Sequence, residues 1–188
     1  PGGSCTSTID GFTNRTLTFD ADTDLAAVCY NSCDACQSAP GCTDSGAVNY
    51  DSAAQNDDGS CLYAVTFQVD LSVRGLADGD IVYTNGTYNG WCGGCNPMTD
   101  AGDGLWTGTF NLPAGDQEYK FTINGWTGSE ESFSPGAEGT LTSYGDNGQT
   151  FVNRYVDVAW AGIVTDADCF SSPEGCPGSG GTGCTDPD

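Results

Sequence analysis

Between residues 63 and 160, run after run places an apolar side chain at every second position, and that pattern leaves little but sheet for this chain. Residues 63–71 put Val65, Phe67, Val69 and Leu71 on one face. Residues 105–112 do the same with Trp106, Phe110 and Leu112, and residues 117–124 with Tyr119, Phe121 and Ile123. Residues 150–160 alternate through Val156, Val158 and Trp160. This alternation is the side-chain geometry of a strand with one buried face. Two further strands are expected at 80–84 and 139–143. The gaps between runs hold turn formers, such as Pro113-Ala114-Gly115-Asp116. No segment shows helical amphipathicity, and residues 51–56 are expected to make one short turn. Strands of this length joined by Gly, Asp and Asn turns predict an all-β fold, an antiparallel β-sandwich.

The stretch 83–126 carries a more specific signal. It contains Asn85-Gly86-Thr87-Tyr88-Asn89-Gly90-Trp91, then Gly104-Leu105-Trp106 and Leu112-Pro113-Ala114-Gly115. It closes on Tyr119-Lys120-Phe121-Thr122-Ile123-Asn124-Gly125-Trp126. In order and spacing these pieces resemble the glycogen-binding module found in kinase regulatory subunits and beside starch-active enzymes, over residues 62–134. The resemblance implies an immunoglobulin-like sandwich of carbohydrate-binding type. It also implies a glucan platform on Trp91, Lys120 and Trp126. An indole offers its negative face to the polarised C–H bonds of a pyranose, and a lysine donates to its hydroxyls. The departure from the family is Cys92-Gly93-Gly94-Cys95 directly after Trp91, which is expected to reshape or cover the platform. The competing reading makes both tryptophans packing residues of a reused scaffold, since fold does not fix function.

The chain also repeats itself. Phe12-Thr13-Asn14-Arg15 returns as Phe151-Val152-Asn153-Arg154, Cys29 and Cys36 return as Cys169 and Cys176, and Gly41-Cys42-Thr43-Asp44 returns as Gly183-Cys184-Thr185-Asp186. Pro1-Gly2 aligns with Pro135-Gly136. The period is about 140 residues, as in a tandem array. Residues 1–37 are therefore expected to be the closing strands of a preceding, truncated module, and residues 62–176 a complete sandwich. Residues 38–61 form an acidic unit between them. Residues 177–188 are a Gly-rich linker leading into the next acidic unit. With no Met at position 1, the chain reads as a window on something longer. Leu17 and Phe19 match Val156 and Val158, so the first tail is expected to pack on a neighbouring copy or on the preceding module, head to tail.

Eleven cysteines with no histidine point to cystines in an oxidising compartment rather than to thiols or zinc. The repeat suggests the pairing. Cys29–Cys36 and Cys169–Cys176 recur as pairs. Cys5 and Cys33 lack counterparts together, as bonded partners would. Cys42–Cys61 brackets the acidic unit, Cys92–Cys95 closes a short loop, and Cys184 is left over. A thioredoxin-like role for Cys92 and Cys95 lacks both the βαβ setting and a nearby cation.

The charge excludes further classes. With 26 Asp+Glu against 4 Lys+Arg, the net charge of −22 repels phosphate backbones and anionic lipid, so neither nucleic acid nor membrane insertion is expected. Without histidine, Ser-His and Cys-His nucleophiles are ruled out. The adjacent Glu130 and Glu131 are the one carboxylate pair placed for glycoside cleavage, though pairing with Arg154 is the preferred reading. The acidic unit offers Asp44, Asn49, Asp51, Asn56, Asp57 and Asp58 to Ca2+, with Asp100 and Asp103 a weaker second set. It resembles the GCTDxxAxNYxxxAxxDDGSC units of secreted multidomain proteins of marine and gliding bacteria, and more loosely the thrombospondin type 3 repeats. Ala54 stands where a strict D-x-D-x-D-G frame would begin, and a plain acidic linker is the alternative. Asn14 and Asn85 begin N-x-T sequons. Together these features predict a secreted, non-enzymatic repeat module of a surface protein, adhesin or filament. A carbohydrate-binding module attached to a polysaccharide-degrading enzyme is the alternative.

Overall fold

The computed structural model describes residues 6–15, 39–159 and 162–172. A short hairpin, β1 (Thr6–Ile9) and β2 (Phe12–Arg15), comes first. In the acidic unit, β3 (Pro40–Gly41) and β4 (Asn56–Asp57) pair in parallel. The sandwich begins with β5 (Leu62–Asp70), β6 (Val82–Gly86), β7 (Thr99–Gly102), β8 (Leu105–Pro113) and β9 (Gly115–Ile123). It continues with β10 (Ser129–Glu130), β11 (Thr140–Tyr144), β12 (Thr150–Val158), β13 (Ile163–Val164) and β14 (Asp168–Cys169). Two single-turn 3-10 helices, Thr87–Asn89 and Gly125–Thr127, are the only helical elements among the described residues.

The sandwich strands form two five-stranded sheets. One has the order β13-β5-β8-β7 with β14 also on β5, and the other the order β10-β9-β12-β11 with β6 also on β9. The expected all-β sandwich is therefore the fold, and each expected strand lies within two residues of its forecast bounds. The strand forecast at 80–84 starts later because Asp80 is held in the preceding turn, its carboxylate accepting the Ala77 N–H and the Asn124 side-chain N–H. The expectation of a purely antiparallel sandwich needs correction. β13 and β14 run parallel to β5, with Ile163 opposite Val65 and Asp168 opposite Val69. The chain leaves β12 in one sheet and arrives at the edge of the other in the direction of β5, so its last pairings are parallel. Trp160 lies outside the described residues.

The core follows the alternation. Tyr63, Val65, Phe67 and Val69 of β5 and Leu112 of β8 face Tyr119, Phe121 and Ile123 of β9 and Val156 and Val158 of β12, all buried. Phe67 lies at the centre, 4.7 Å from the Tyr119 ring centroid and 6.5 Å from that of Phe121 in the opposite sheet. Offset and edge-on ring pairs of this kind add about 0.5–1.5 kcal/mol each beyond the burial of their area.

A charged side chain breaks the apolar rule on the inner face of β12. Arg154 shares the inner face of β12 with Val156 and Val158, and its side chain is 1% exposed against a Glu131 that is 0% exposed. Arg154 Nη2 donates to Glu131 Oε1 at 2.9 Å and to the Cys169 carbonyl at 2.8 Å, while Nη1 donates to Asp168 at 2.7 Å. Glu131 also accepts the backbone N–H groups of Phe121 and Ser171. Burial alone would lower the Arg154 pKa, but Glu131, Tyr119 and Asp168 together outweigh it, raise the pKa and hold the guanidinium charged. This cluster ties β9, β12 and the β14 segment into one unit. Adjacent residues point to opposite faces, so Glu130 and Glu131 are separated: the first pairs with Lys120 at 3.3 Å on the outside, the second with Arg154 within. They do not share a site.

The internal repeat has a structural counterpart. In β1–β2, Thr6 pairs with Arg15, Ser7 with Asn14, Thr8 with Thr13 and Ile9 with Phe12. In β11–β12, Thr140 pairs with Arg154, Leu141 with Asn153, Thr142 with Val152 and Ser143 with Phe151. The two hairpins match position for position and differ in their turns. The first is Asp10-Gly11, both at positive φ (52° and 82°), as a tight two-residue turn requires. Leu17 and Phe19, on which the expected packing of the first tail rests, lie outside the described residues.

Candidate functional site, a groove on the outer face of one sheet

Because Tyr119, Phe121 and Ile123 point inward, Glu118, Lys120 and Thr122 of β9 point outward. On β12 the outward residues beside this face are Phe151 and Asn153, with Tyr155 and Asp157 further along the strand. Asn153 Nδ2 donates to Glu118 Oε2 at 2.7 Å, joining the two strands across this face. Two loops rise beside it. Gly90 and Trp91 both take positive φ (61° and 58°), which turns the chain sharply after the Thr87–Asn89 turn. The Trp91 N–H is held by the Gly86 carbonyl at 3.0 Å and by Asn89 Oδ1 at 3.1 Å. Trp126 sits in the second 3-10 turn, and the residue that precedes that turn, Asn124 (φ 57°), anchors to Ile81 and Asp80. Trp126 Nε1 donates to the Trp91 carbonyl at 2.8 Å, and the two ring centroids are 6.2 Å apart at 45°.

Sheet face and loops together enclose a groove of about 500 Å3. Trp91, Lys120 and Trp126, the residues singled out from sequence, all line it, so the structure brings them together. It adds Glu118, Asn153 and the half-exposed Phe151, which sequence reasoning missed, and Glu130, singled out there only as one of a carboxylate pair. Glu118 was legible, because it shares the parity of Lys120 on β9. Phe151 was visible only as part of the repeat. The groove thus offers aromatic faces, one ammonium and several acceptors, a donor set suited to hydroxyl-rich ligands.

The proposed calcium ligands do not converge. Asp44 accepts the Gly46 N–H and the Tyr63 hydroxyl. Those bonds, the tyrosine's first, hold its carboxyl below the ordinary range, and the same contact pushes Tyr63 up to about 12. Asp51, Asp57 and Asp58 accept the N–H groups of Ala53, Gly59 and Ser60, each two residues on. Asn49 accepts the Leu62 N–H and donates to the Ser60 carbonyl, and Asn56 of β4 lies opposite Pro40 of β3. The carboxylates of Asp51, Asp57 and Asp58 thus cap their own turns. Asp100 and Asp103 line a second groove of about 570 Å3, where Asp100 accepts the Gly102 N–H. Among the described residues, no group of three or more Asp, Glu or Cys is placed to hold a metal ion.

Cys42–Cys61 and Cys92–Cys95 are bonded, with Cα–Cα separations of 4.7 and 6.0 Å. Cys169 is also in a disulfide. The remaining expected pairings involve Cys5, Cys29, Cys33, Cys36 or Cys176, which lie outside the described residues. Asn14 is on the exposed side of β2. Asn85 requires a correction as a glycosylation candidate. It is fully buried, with its Nδ2 donating to Thr122 Oγ1 at 2.9 Å, so a glycan on that nitrogen has no room in the folded chain.

No family model matches the chain, and no curated protein matches it. Among solved structures, it is similar to a glycoside hydrolase family 15 glucoamylase from Hypocrea jecorina, at 25% identity and a TM-score of 0.36. That match covers 59% of this chain and 17% of the glucoamylase, so the chain spans under a fifth of that protein's length.

Proposed function

We propose that the sandwich binds polysaccharide through the Trp91–Trp126 groove, as part of a secreted, non-enzymatic repeat protein of the cell surface. The observation that carries this reading is the meeting of Trp91, Trp126 and Lys120, from three separate segments, in one open groove. Trp126 is 42% exposed, an unusual place for an indole that serves only packing. The cystines fit an oxidising compartment, and no helix of the described residues is long and apolar enough to cross a membrane. A glycan array probed with the intact chain tests the reading. Trp126→Ala and Trp91→Ala are each expected to cost about 2 kcal/mol or more of binding, as aromatic hot spots do. If either instead lowers stability by the ~3–5 kcal/mol of a core aromatic and leaves binding intact, that residue is packing and the proposal falls.

A second reading, head-to-tail assembly, is favoured by the matching registers of the β1–β2 and β11–β12 hairpins. A closing hairpin that recurs at the start of the chain is a means of docking onto a neighbouring copy or a preceding module. Sedimentation of the intact chain against one lacking residues 1–37 checks this. Self-association that requires the first segment is expected, and a monomer at every concentration overturns it.

A further inference from the structure

The loop Cys92-Gly93-Gly94-Cys95 is not among the residues that line the groove; it packs against Trp126, which is. Asn85, buried in β6, spends its whole carboxamide there. Its Oδ1 accepts the Gly93 N–H at 2.7 Å, and its Nδ2 reaches the Gly93 carbonyl at 3.4 Å and Thr122 Oγ1 at 2.9 Å. Gly93 has φ +86°, and a Cβ added there would meet Trp126 Cδ1 at 2.8 Å. Gly125, the residue before Trp126, is pressed just as closely, since its Cβ would lie 3.0 Å from the Gly93 carbonyl oxygen. Above the loop, the Trp91 carbonyl accepts the Trp126 indole N–H. The Cys92–Cys95 bond follows directly on Trp91 and closes this loop on itself. Both indoles are therefore seated on one short covalent ring that is pinned to the sheet through Asn85.

We propose that the Cys92–Cys95 ring and Asn85 are the positioning elements of the groove, setting the tilt between Trp91 and Trp126 and so the shape of the glycan that both can touch. This rests on the glycan-binding reading for its functional consequence, but the placement of the indoles stands by itself. Two rings tilted at 45° face a curved or branched glucan better than a flat crystalline one, because stacking needs each ring face against a sugar face. A binding group must be held to within about 0.5 Å to keep its contribution, and a loop long enough to be free would not do so.

The test compares three variants with the intact chain: Cys92→Ala with Cys95→Ala, Gly93→Ala, and Gly94→Ala. Gly94 is the control, since its φ is not positive and a Cβ there would lie 3.9 Å from its nearest neighbour, Tyr83. Two signals are read. One is affinity for soluble glycogen, with insoluble cellulose as the flat probe. The other is the exciton couplet that two neighbouring indoles give in circular dichroism, which reports their mutual angle whether or not a sugar is present. The ring-opened variant and Gly93→Ala are expected to alter the couplet, to lose about tenfold in affinity for glycogen, and to lose the preference over cellulose. Gly94→Ala is expected to match the intact chain in both. An unchanged couplet in both altered variants overturns the proposal, as does unchanged affinity beside a changed couplet. An intact chain that binds no glycan at all overturns the groove reading instead, because the couplet still decides whether the ring positions the indoles.

Discussion

The acidic unit and the sandwich meet at Cys61 and Leu62, yet they use the same chemical group in opposite ways. In the unit, carboxylates stay near water and are spent on local turns, with Asp51, Asp57 and Asp58 each accepting an amide two residues on. Its buried apolar residues are little more than Cys42, Ala47 and Cys61, and the disulfide does the closing. In the sandwich, one carboxylate, Glu131, is taken fully inside and matched to Arg154 among aromatic rings, with Phe133 and Phe121 at 5.1 and 5.6 Å from the guanidinium. The comparison teaches that acidity by itself says nothing about role. A carboxylate reachable by its own backbone caps a turn, and one remote from any turn needs a cation to be buried at all.

Breaking the sandwich side should cost most. Glu131→Ala removes the buried partner of Arg154, leaving it only the half-buried Asp168 as a counter-charge, and strips the Phe121 and Ser171 amides of their acceptor, so unfolding in denaturant should show a loss of about 3–5 kcal/mol. Phe67→Ala should fall in the same range of ~3–5 kcal/mol, since it empties the centre of the core. On the other side, Cys42→Ala with Cys61→Ala should remove about 3 kcal/mol on the chain-entropy estimate. That loss should be confined to the unit: hydrogen exchange should speed at the Ala53 and Gly59 amides while those of β5 and β9 stay protected.

A smaller effect sharpens the boundary between the two regions, where Asp44 of the unit accepts the hydroxyl of Tyr63 in β5. The raised pKa of Tyr63 means that the folded state favours the neutral phenol. This contribution is complete below pH 10 and is lost as pH rises towards about 12. The lowered pKa of Asp44 works the other way: its contribution is present above the ordinary value of 3.8 and is lost as pH falls through the folded value. The Gly46 amide resonance should report both transitions, and Tyr63→Phe should abolish the alkaline one. The smallest effect belongs to calcium. Melting curves in calcium and in chelator should coincide, because the carboxylates of the unit are engaged with their own turns. A clear rise in melting temperature with calcium would mean that the unit rearranges around the ion.

Much of the fold was legible because strand periodicity is written residue by residue. Val65, Phe67 and Val69 declare their face without reference to any partner, and so do Tyr119, Phe121 and Ile123. Arg154 was legible only as a cation awaiting a carboxylate. Which of Glu130 and Glu131 answered it depended on strand direction, since neighbours on a strand face opposite ways. The parallel docking of β13 and β14 on β5 was not legible, because a two-residue pairing leaves no periodic trace.

The site divides in the same manner. Sequence by itself determined the sheet, the inward residues, the two short-range disulfides and the identity of Trp91, Lys120 and Trp126 as residues worth following, all of which depend on local spacing or on motif order. Only the tertiary structure decided that Phe151 and Asn153 join them, that Asn85 serves the loop rather than a glycan, and that the acidic side chains fail to converge. Those outcomes depend on distances between segments far apart in the chain. Such distances are set by how two sheets and their loops pack, and no local pattern encodes them.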